Sequence, residues 1–137
     1  MHLRLPATPE AVALALDALE RDPQLLQGLD ARARYAVELV TEEVLMNVAM
    51  HAGLASSEPL PVGFSACREA ASVVLEFVYR GQAFDPREAP PPRPAASLDD
   101  ARVGGLGLVL VRRMSSAIDH AFTDGVNRLR VVVAERG

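Results

Sequence analysis

The chain of 137 residues has a single cysteine, Cys67, and no apolar run approaches the ~20 residues that a membrane-spanning helix needs. One cysteine excludes a disulfide framework and a cysteine-based metal site, and the three histidines are too scattered along the sequence to suggest a zinc cluster. The first residues, MHLRLPATPE, lack the pattern of a signal peptide. These absences predict a cytoplasmic protein with no membrane contact.

The chain also lacks an excess of basic residues. It has 14 Lys and Arg residues against 18 Asp and Glu residues, for a net charge of −4. This balance argues against direct binding of nucleic acid over a broad surface, but it allows a local pocket for one nucleotide. Because hydrophobic residues make up 50% of the chain and charged residues 23%, we expect a folded globular chain with one domain over residues 1–137.

Apolar periodicity and turn residues predict five strands and three helices in the order β-α-α-β-β-lid-α-β-β. The predicted strands are His2–Pro6, Leu60–Cys67, Ser72–Arg80, Ala117–Thr123 and Asn127–Ala134, the last two joined by the hairpin turn Asp124-Gly125. The predicted helices begin at Thr8-Pro9-Glu10, at Asp30 and at Gly104, and they end before Pro23, at Gly53 and at Met114. This order predicts an α+β fold, a two-layer α/β sandwich with a mixed, mainly antiparallel sheet and its helices on one face.

Residues 84–103 differ from the rest of the chain because proline is concentrated there. Five of the ten prolines fall in this segment, and a long loop inside a compact domain is usually a functional lid or a disordered segment. We therefore expect a flexible lid at about residues 84–103.

The long second helix carries polar side chains on its apolar face. At ~100° per residue, Glu43, Asn47 and His51 fall within the apolar stripe. That stripe is otherwise built from Ala36, Leu39, Val40 and Val44, and the solvent side is predicted to hold Arg34, Glu38, Thr41 and Glu42. Because burial of an unpaired carboxylate is costly, Glu43 is expected to face something polar. The alternative is that Glu43 and Asn47 pair with loop backbone in the core, and that His51 only complements the helix dipole.

A glycine-rich turn, Gly104-Gly105-Leu106-Gly107, precedes the third predicted helix. Glycines let a backbone approach a phosphate closely, and the N–H groups at a helix start favour an anion, although such turns also serve as plain connectors. The turn is neither a P-loop nor a dinucleotide fingerprint, because no Gly-Lys-Ser/Thr follows it and no βαβ unit surrounds it. A third segment, Gly81 to Pro86, follows a predicted central strand.

Together, these three segments resemble the motifs of the bacterial anti-sigma-factor serine/threonine kinases, or switch-protein kinases, of the gyrase, chaperone and histidine-kinase ATP-binding superfamily. The run from Glu43 to Ala52 resembles E-x-x-x-N-x-x-x-H-A. The run from Gly81 to Pro86 resembles the end of D-x-G-x-x-F-D-P, and Gly104 to Leu108 resembles G-G-x-G-L. The resemblance covers nearly the whole chain and implies the histidine-kinase-like ATPase fold.

The resemblance also implies roles for individual residues. Asn47 would hold the Mg²⁺ that bridges the phosphates of ATP, Glu43 would be the general base or water-positioning group, and Gly105 and Gly107 would present N–H groups to the phosphates. The other residues expected to line the nucleotide site are Tyr79, Gly81, Phe84, Arg102, Gly104, Leu106 and Leu108. Of these, Arg102 would reach the γ-phosphate or a partner protein.

The implied function is partner switching, in which the kinase phosphorylates a small anti-sigma-factor antagonist and sequesters a sigma factor. A homodimer, paired through the first strand and the nearby sheet edge, is also implied. Two alternatives are a non-catalytic partner-binding module of the same fold, with weak or lost nucleotide binding, and an α/β domain that binds no nucleotide.

The chain departs from the resembled family at Tyr79. That position normally holds an aspartate that accepts a hydrogen bond from the adenine amino group. Loss of a buried acceptor costs roughly 1–3 kcal/mol, so the sequence predicts weakened recognition of adenine. Asp85 matches a different position of the motif and is not a direct replacement.

Overall fold

The computed structural model describes the backbone of residues 1–52, 61–81, 83, 85 and 106–134, with side chains for all of these except residues 51, 52 and 106–108. The described strands are β1 (His2–Pro6), β2 (Pro61–Glu69), β3 (Ser72–Arg80), β4 (Ala117–Thr123) and β5 (Val126–Ala134). The described helices are α1 (Glu10–Arg21), α2 (Pro23–Leu26), α3 (Ala31–Ala52) and α4 (Leu106–Met114). Among them, no helix combines the length and the apolar character that crossing a bilayer requires.

The five strands form one sheet in the order β1-β2-β3-β5-β4. All four pairings between described strands are antiparallel, so the prediction of a mainly antiparallel sheet is confirmed and none of the described pairs is parallel. Strand β3 lies at the centre, as the apolar residues on both of its faces predict. The residue pairs Phe64↔Phe77 and Phe77↔Leu129 align one apolar row across β2, β3 and β5.

The hydrophobic core lies between one face of this sheet and the helices. Phe64, Phe77 and Leu129 have no exposed surface, and the rings of the two phenylalanines lie 5.3 Å apart between centroids. Burial of each such side chain stabilises the fold by roughly 1.5–3 kcal/mol. The core is completed by residues of α1 and α3, among them Leu19 and Val40, so the prediction of helices on one face of the sheet is confirmed.

Helix α3 begins as the sequence predicts. The carboxylate of Asp30 accepts a hydrogen bond of 2.7 Å from the backbone N–H of Ala33, which satisfies one of the donors left without a partner at a helix start. Along the helix, Ala36, Val40 and Val44 are buried, as the periodicity predicts.

The prediction that Thr41 lies on the solvent side of α3 is wrong. Its side chain is fully buried, and its hydroxyl donates a hydrogen bond of 2.8 Å to the carbonyl of Val37. The back-bond to the preceding turn satisfies the hydroxyl within the helix, so a threonine occupies a core position that the predicted apolar stripe did not include.

The remaining differences from the sequence analysis are small. The sequence did not predict α2, a helix of four residues whose N-cap is Asp22 and whose first residue is Pro23. The hairpin turn Asp124-Gly125 is confirmed, with φ angles of 52° and 76° at its two residues, the backbone that a type I′ turn requires. Of the predicted lid at about residues 84–103, only Asp85 lies within the described residues.

Candidate functional site

Asn47 lies on α3, one turn after Glu43, with 6% of its surface exposed. Its Nδ2 donates a hydrogen bond of 2.7 Å to the backbone carbonyl of Glu43. That bond uses the nitrogen of the amide, and Oδ1 accepts no hydrogen bond from the described residues. Mg²⁺ binds oxygen ligands, and the carbonyl oxygen of an asparagine side chain can serve as one of them. The side chain therefore fits the metal-ligand role that the sequence predicts for it.

Glu43 is partly buried and forms no ion pair with the residues whose side chains are described. Burial raises the pKa of its carboxylate above the ordinary value of 4.5, and the neighbouring charge of Glu42 raises this pKa further. A raised pKa makes the carboxylate a better proton acceptor, which suits a general base. Glu43 and Asn47 are four residues apart on α3 and therefore share one side of the helix, and the catalytic role of Glu43 stays a prediction.

Tyr79 is 3% exposed and belongs to the hydrophobic core. Burial raises the pKa of its hydroxyl, and the charge of Asp85 raises this pKa further. The predicted cofactor-binding residue is therefore a buried ring with a protonated hydroxyl at the end of β3.

Three other polar side chains gather at this end of the sheet. The side chains of Asp85 and His120 are each 8% exposed, with Nδ1 of His120 3.8 Å from Oδ2 of Asp85. Nε2 of His120 lies 2.9 Å from Oδ1 of Asn127. The Nδ2 atom of Asn127, which is fully buried, donates a hydrogen bond of 3.4 Å to the carbonyl of Tyr79. We call these four residues, Tyr79, Asp85, His120 and Asn127, the strand-end cluster.

The sequence analysis missed His120 and Asn127 as site residues. A signal was present, because the alternation along β5 that places Leu129, Val131 and Val133 in the core also places Asn127 there. An asparagine in that row requires a buried polar partner, and His120 on the adjacent strand β4 supplies one.

Gly81 closes β3 with a φ of 134°, a backbone conformation that favours glycine. Its N–H donates to the carbonyl of Gly125, at 3.2 Å, which ties the exit of β3 to the β4–β5 turn. The backbone conformation thus explains why a glycine occupies position 81. The predicted contact of Gly81 with a nucleotide stays a prediction.

The glycine-rich turn is described only in part. Helix α4 begins at Leu106, so Gly107 and Leu108 lie in its first turn, where backbone N–H groups have no partner within the helix. Four other predicted site residues, Phe84, Arg102, Gly104 and Gly105, lie outside the described residues, as does the side chain of His51. Binding of phosphates by the N–H groups of the glycine-rich turn therefore stays a prediction.

A cavity of about 390 Å³ lies on the sheet face opposite the core. It is lined by Arg4, Gly63, Val78 and Arg128 among others. These residues align in register across β1, β2, β3 and β5 and alternate with the core residues. Of the residues predicted to bind the nucleotide, Tyr79 is in this lining, whereas Glu43 and Asn47 are not.

Comparison with known proteins identifies the family of the chain independently of the site geometry. Residues 5–133 match the model of the histidine kinase-like ATPase domain. The chain is 35% identical over 99 residues to the serine/threonine-protein kinase BtrW of Bordetella bronchiseptica, covering 72% of this chain and 69% of BtrW.

Two solved structures are also similar. The RsbU and RsbW domains of Rv1364c from Mycobacterium tuberculosis match all of this chain with a TM-score of 0.64 at 16% identity, a likeness of fold. This chain spans only 33% of that structure. The histidine kinase AdeS of Acinetobacter baumannii matches with a TM-score of 0.49 at 16% identity, over all of this chain and 68% of AdeS.

Proposed function

Since the chain belongs to the histidine kinase-like ATPase domain family, and within it to the anti-sigma-factor kinase type, we propose that it is a serine/threonine kinase that uses Mg-ATP. Its substrate is a small anti-sigma-factor antagonist, and its second partner is a sigma factor that it sequesters. In this proposal residues 1–137 form one ATP-binding kinase domain with a lid at about residues 84–103, working in the cytoplasm. The observation that carries the proposal is the pairing of Glu43 and Asn47 on one side of α3.

Phosphoryl transfer asks mainly for positioning and for electrostatic stabilisation. When bound, Mg-ATP supplies the phosphoryl group and a cation that neutralises its charge. Asn47 would hold the metal through Oδ1, because its Nδ2 is already bonded to the helix backbone. Glu43 would accept the proton of the substrate hydroxyl, for which its raised pKa suits it. The first turn of α4, with Leu106, Gly107 and Leu108, would donate N–H groups to phosphate oxygens.

The same proposal includes a homodimer. Strand β1 is at the edge of the sheet and pairs only with β2 among the described strands. Its outer backbone groups are thus available to the corresponding edge of a second copy. Neither nucleic acid nor a membrane is needed for the function proposed.

A second candidate is a partner-binding module of the same fold that transfers no phosphate. The burial of Tyr79, where the resembled family has an acceptor for adenine, favours it. This candidate differs from the kinase in one measurable respect, the labelling of the antagonist.

Removal of the Glu43 carboxylate separates the two candidates. Glu43→Ala should lower transfer of radiolabelled phosphate from ATP to the antagonist by at least about 100-fold, because a general base contributes that much to the rate. Binding of the antagonist, measured by calorimetry, should be unchanged. Glu38→Ala is the matched control, since Glu38 lies on the same helix and its side chain is 38% exposed. Labelling that persists in Glu43→Ala, or that is lost equally in both variants, would contradict the role of Glu43, and no labelling by the wild type would favour the binding module.

A further inference from the structure

The strand-end cluster includes Tyr79, the position at which the resembled family recognises the adenine base. We propose that this cluster has replaced a base-reading carboxylate, so that the nucleotide site of this chain binds Mg-triphosphates with little discrimination between purine bases. The inference rests on the proposed function, because it concerns the specificity of the same site. In this proposal the four residues of the cluster together determine base specificity, and none of them takes part in the phosphoryl transfer.

The ring of Tyr79 fills the space beside the end of β3. Tyr79 lies in the row of β3 that faces the helices, because Val73, Leu75 and Phe77 of the same alternation are all in the core. Its side chain is nearly fully buried and its ring is part of the core. An aspartate at this position would be much shorter and would leave space for a ligand, whereas the tyrosine fills that space with protein atoms.

The hydrogen bond to Asn127 orients the ring of His120. Because Nδ2 of Asn127 donates to the carbonyl of Tyr79, the Oδ1 of the same amide is the atom that meets His120. Oδ1 can only accept a hydrogen bond, so Nε2 of His120 carries a proton and donates it. The other ring nitrogen, Nδ1, then faces the carboxylate of Asp85 at 3.8 Å. Asn127 thus fixes the orientation of the ring beside Asp85.

Asp85 is the acidic residue whose charge acts on Tyr79. Its Oδ2 lies 3.8 Å from Nδ1 of His120, and its charge raises the pKa of the Tyr79 hydroxyl. Within the described part of the chain, every buried side-chain nitrogen or oxygen has a hydrogen-bond partner. Asp85 is therefore engaged by protein groups rather than held open for the amino group of a base.

The consequence follows from how binding sites discriminate between ligands. A site rejects an analogue strongly when a group built to bond the missing atom is left unpaired. Here the polar groups of the cluster stay paired whether or not the base carries an amino group. Affinity then comes from the triphosphate and its metal, which all nucleoside triphosphates share.

The test is a set of calorimetric titrations of the full chain with Mg-ATP, Mg-GTP, Mg-ITP and Mg-tripolyphosphate. ITP differs from ATP at the base position where the amino group is replaced by a carbonyl. We expect the dissociation constants of the three nucleotides to agree within about fivefold, less than one good hydrogen bond would contribute. A preference for ATP over ITP of about fivefold or more overturns the inference and leaves the proposed function intact. Absence of binding by all four ligands overturns the proposed function itself.

A pair of variants tests the cause. Tyr79→Asp restores a carboxylate and should raise the preference for ATP over ITP to about tenfold or more. Tyr79→Ala, the matched control, opens the same space without an acceptor and should change both affinities together. Circular dichroism checks that each variant is folded, and the ratio of affinities is insensitive to a general loss of stability. A folded Tyr79→Asp variant with no gain in preference would overturn the inference, as would an equal gain in Tyr79→Ala.

Discussion

At the scale of the residue, the carboxylate of Glu43 lies in an environment that disfavours its negative charge. Burial and the neighbouring Glu42 both raise its pKa in the folded chain. A raised folded-state pKa favours folding at low pH, and this contribution is lost as the pH rises through the folded-state pKa. At neutral pH the ionised Glu43 therefore lowers the free energy of unfolding. Retention of a destabilising charge is typical of a functional site.

Glu43→Gln should accordingly make the chain more stable at pH 7, because glutamine removes the disfavoured charge and keeps the shape. The gain should shrink as the pH falls and should vanish below the ordinary glutamate pKa of 4.5, where the wild-type side chain is protonated in both states. Urea unfolding of the wild type and of Glu43→Gln, from pH 7 to below pH 4.5, measures this difference in stability. A loss of stability at pH 7, or a difference that does not vary with pH, would contradict the account.

The residues of the site differ in how far the sequence reveals them. Glu43 and Asn47 are evident, because polar side chains interrupt a regular apolar stripe on a long helix. His120 and Asn127 are less evident, because the register of β3, β4 and β5 brings them beside Tyr79. Asp85 joins them from the segment after β3. Periodicity records the face on which a residue lies, and it does not record which residues of other strands share that face.

At the scale of elements, strong local signals gave accurate predictions. The bounds of β1, β3 and β4 agree with the structure residue for residue, because alternation and flanking turn residues mark both ends of each strand. Helix α2 escaped prediction because four residues are too few to show a helical period, and Pro23 was interpreted only as the end of α1. The face assigned to Thr41 was wrong because a hydroxyl bonded to its own helix is buried at low cost.

The β4–β5 turn provides a test at this scale. Gly125 has a φ of 76°, and an added Cβ would meet no atom within 4 Å. The cost of Gly125→Ala is therefore a backbone cost alone, about 1–2 kcal/mol of unfolding free energy. Gly63→Ala is the matched control, because an added Cβ there makes ordinary contact with Val78 at 3.5 Å. We expect the control to change stability by less than about 0.5 kcal/mol. Equal losses in the two variants, measured by urea unfolding, would contradict the assignment of the turn.

At the scale of the whole molecule, the fold brings together segments that are distant in the sequence. A five-stranded antiparallel sheet is covered on one face by helices, and α3 packs on the strands that end at the strand-end cluster. The order of elements suffices to predict this architecture, since an amphipathic helix and a sheet with one apolar face must bury those faces together. The specificity of the site could not be predicted in this way, because it depends on contacts between β3, β4, β5 and Asp85.

The central claim is that α3 presents Asn47 and Glu43 to a magnesium nucleotide held against this sheet. Calorimetric titration of Mg-ATP against the wild type and Asn47→Ala tests it most directly, with Asn47→Asp as a control that keeps an oxygen ligand. We predict that the wild type binds, that Asn47→Ala binds at least about tenfold more weakly, and that Asn47→Asp retains magnesium-dependent binding. Equal affinity in the wild type and Asn47→Ala, or binding that does not depend on magnesium, would contradict the account.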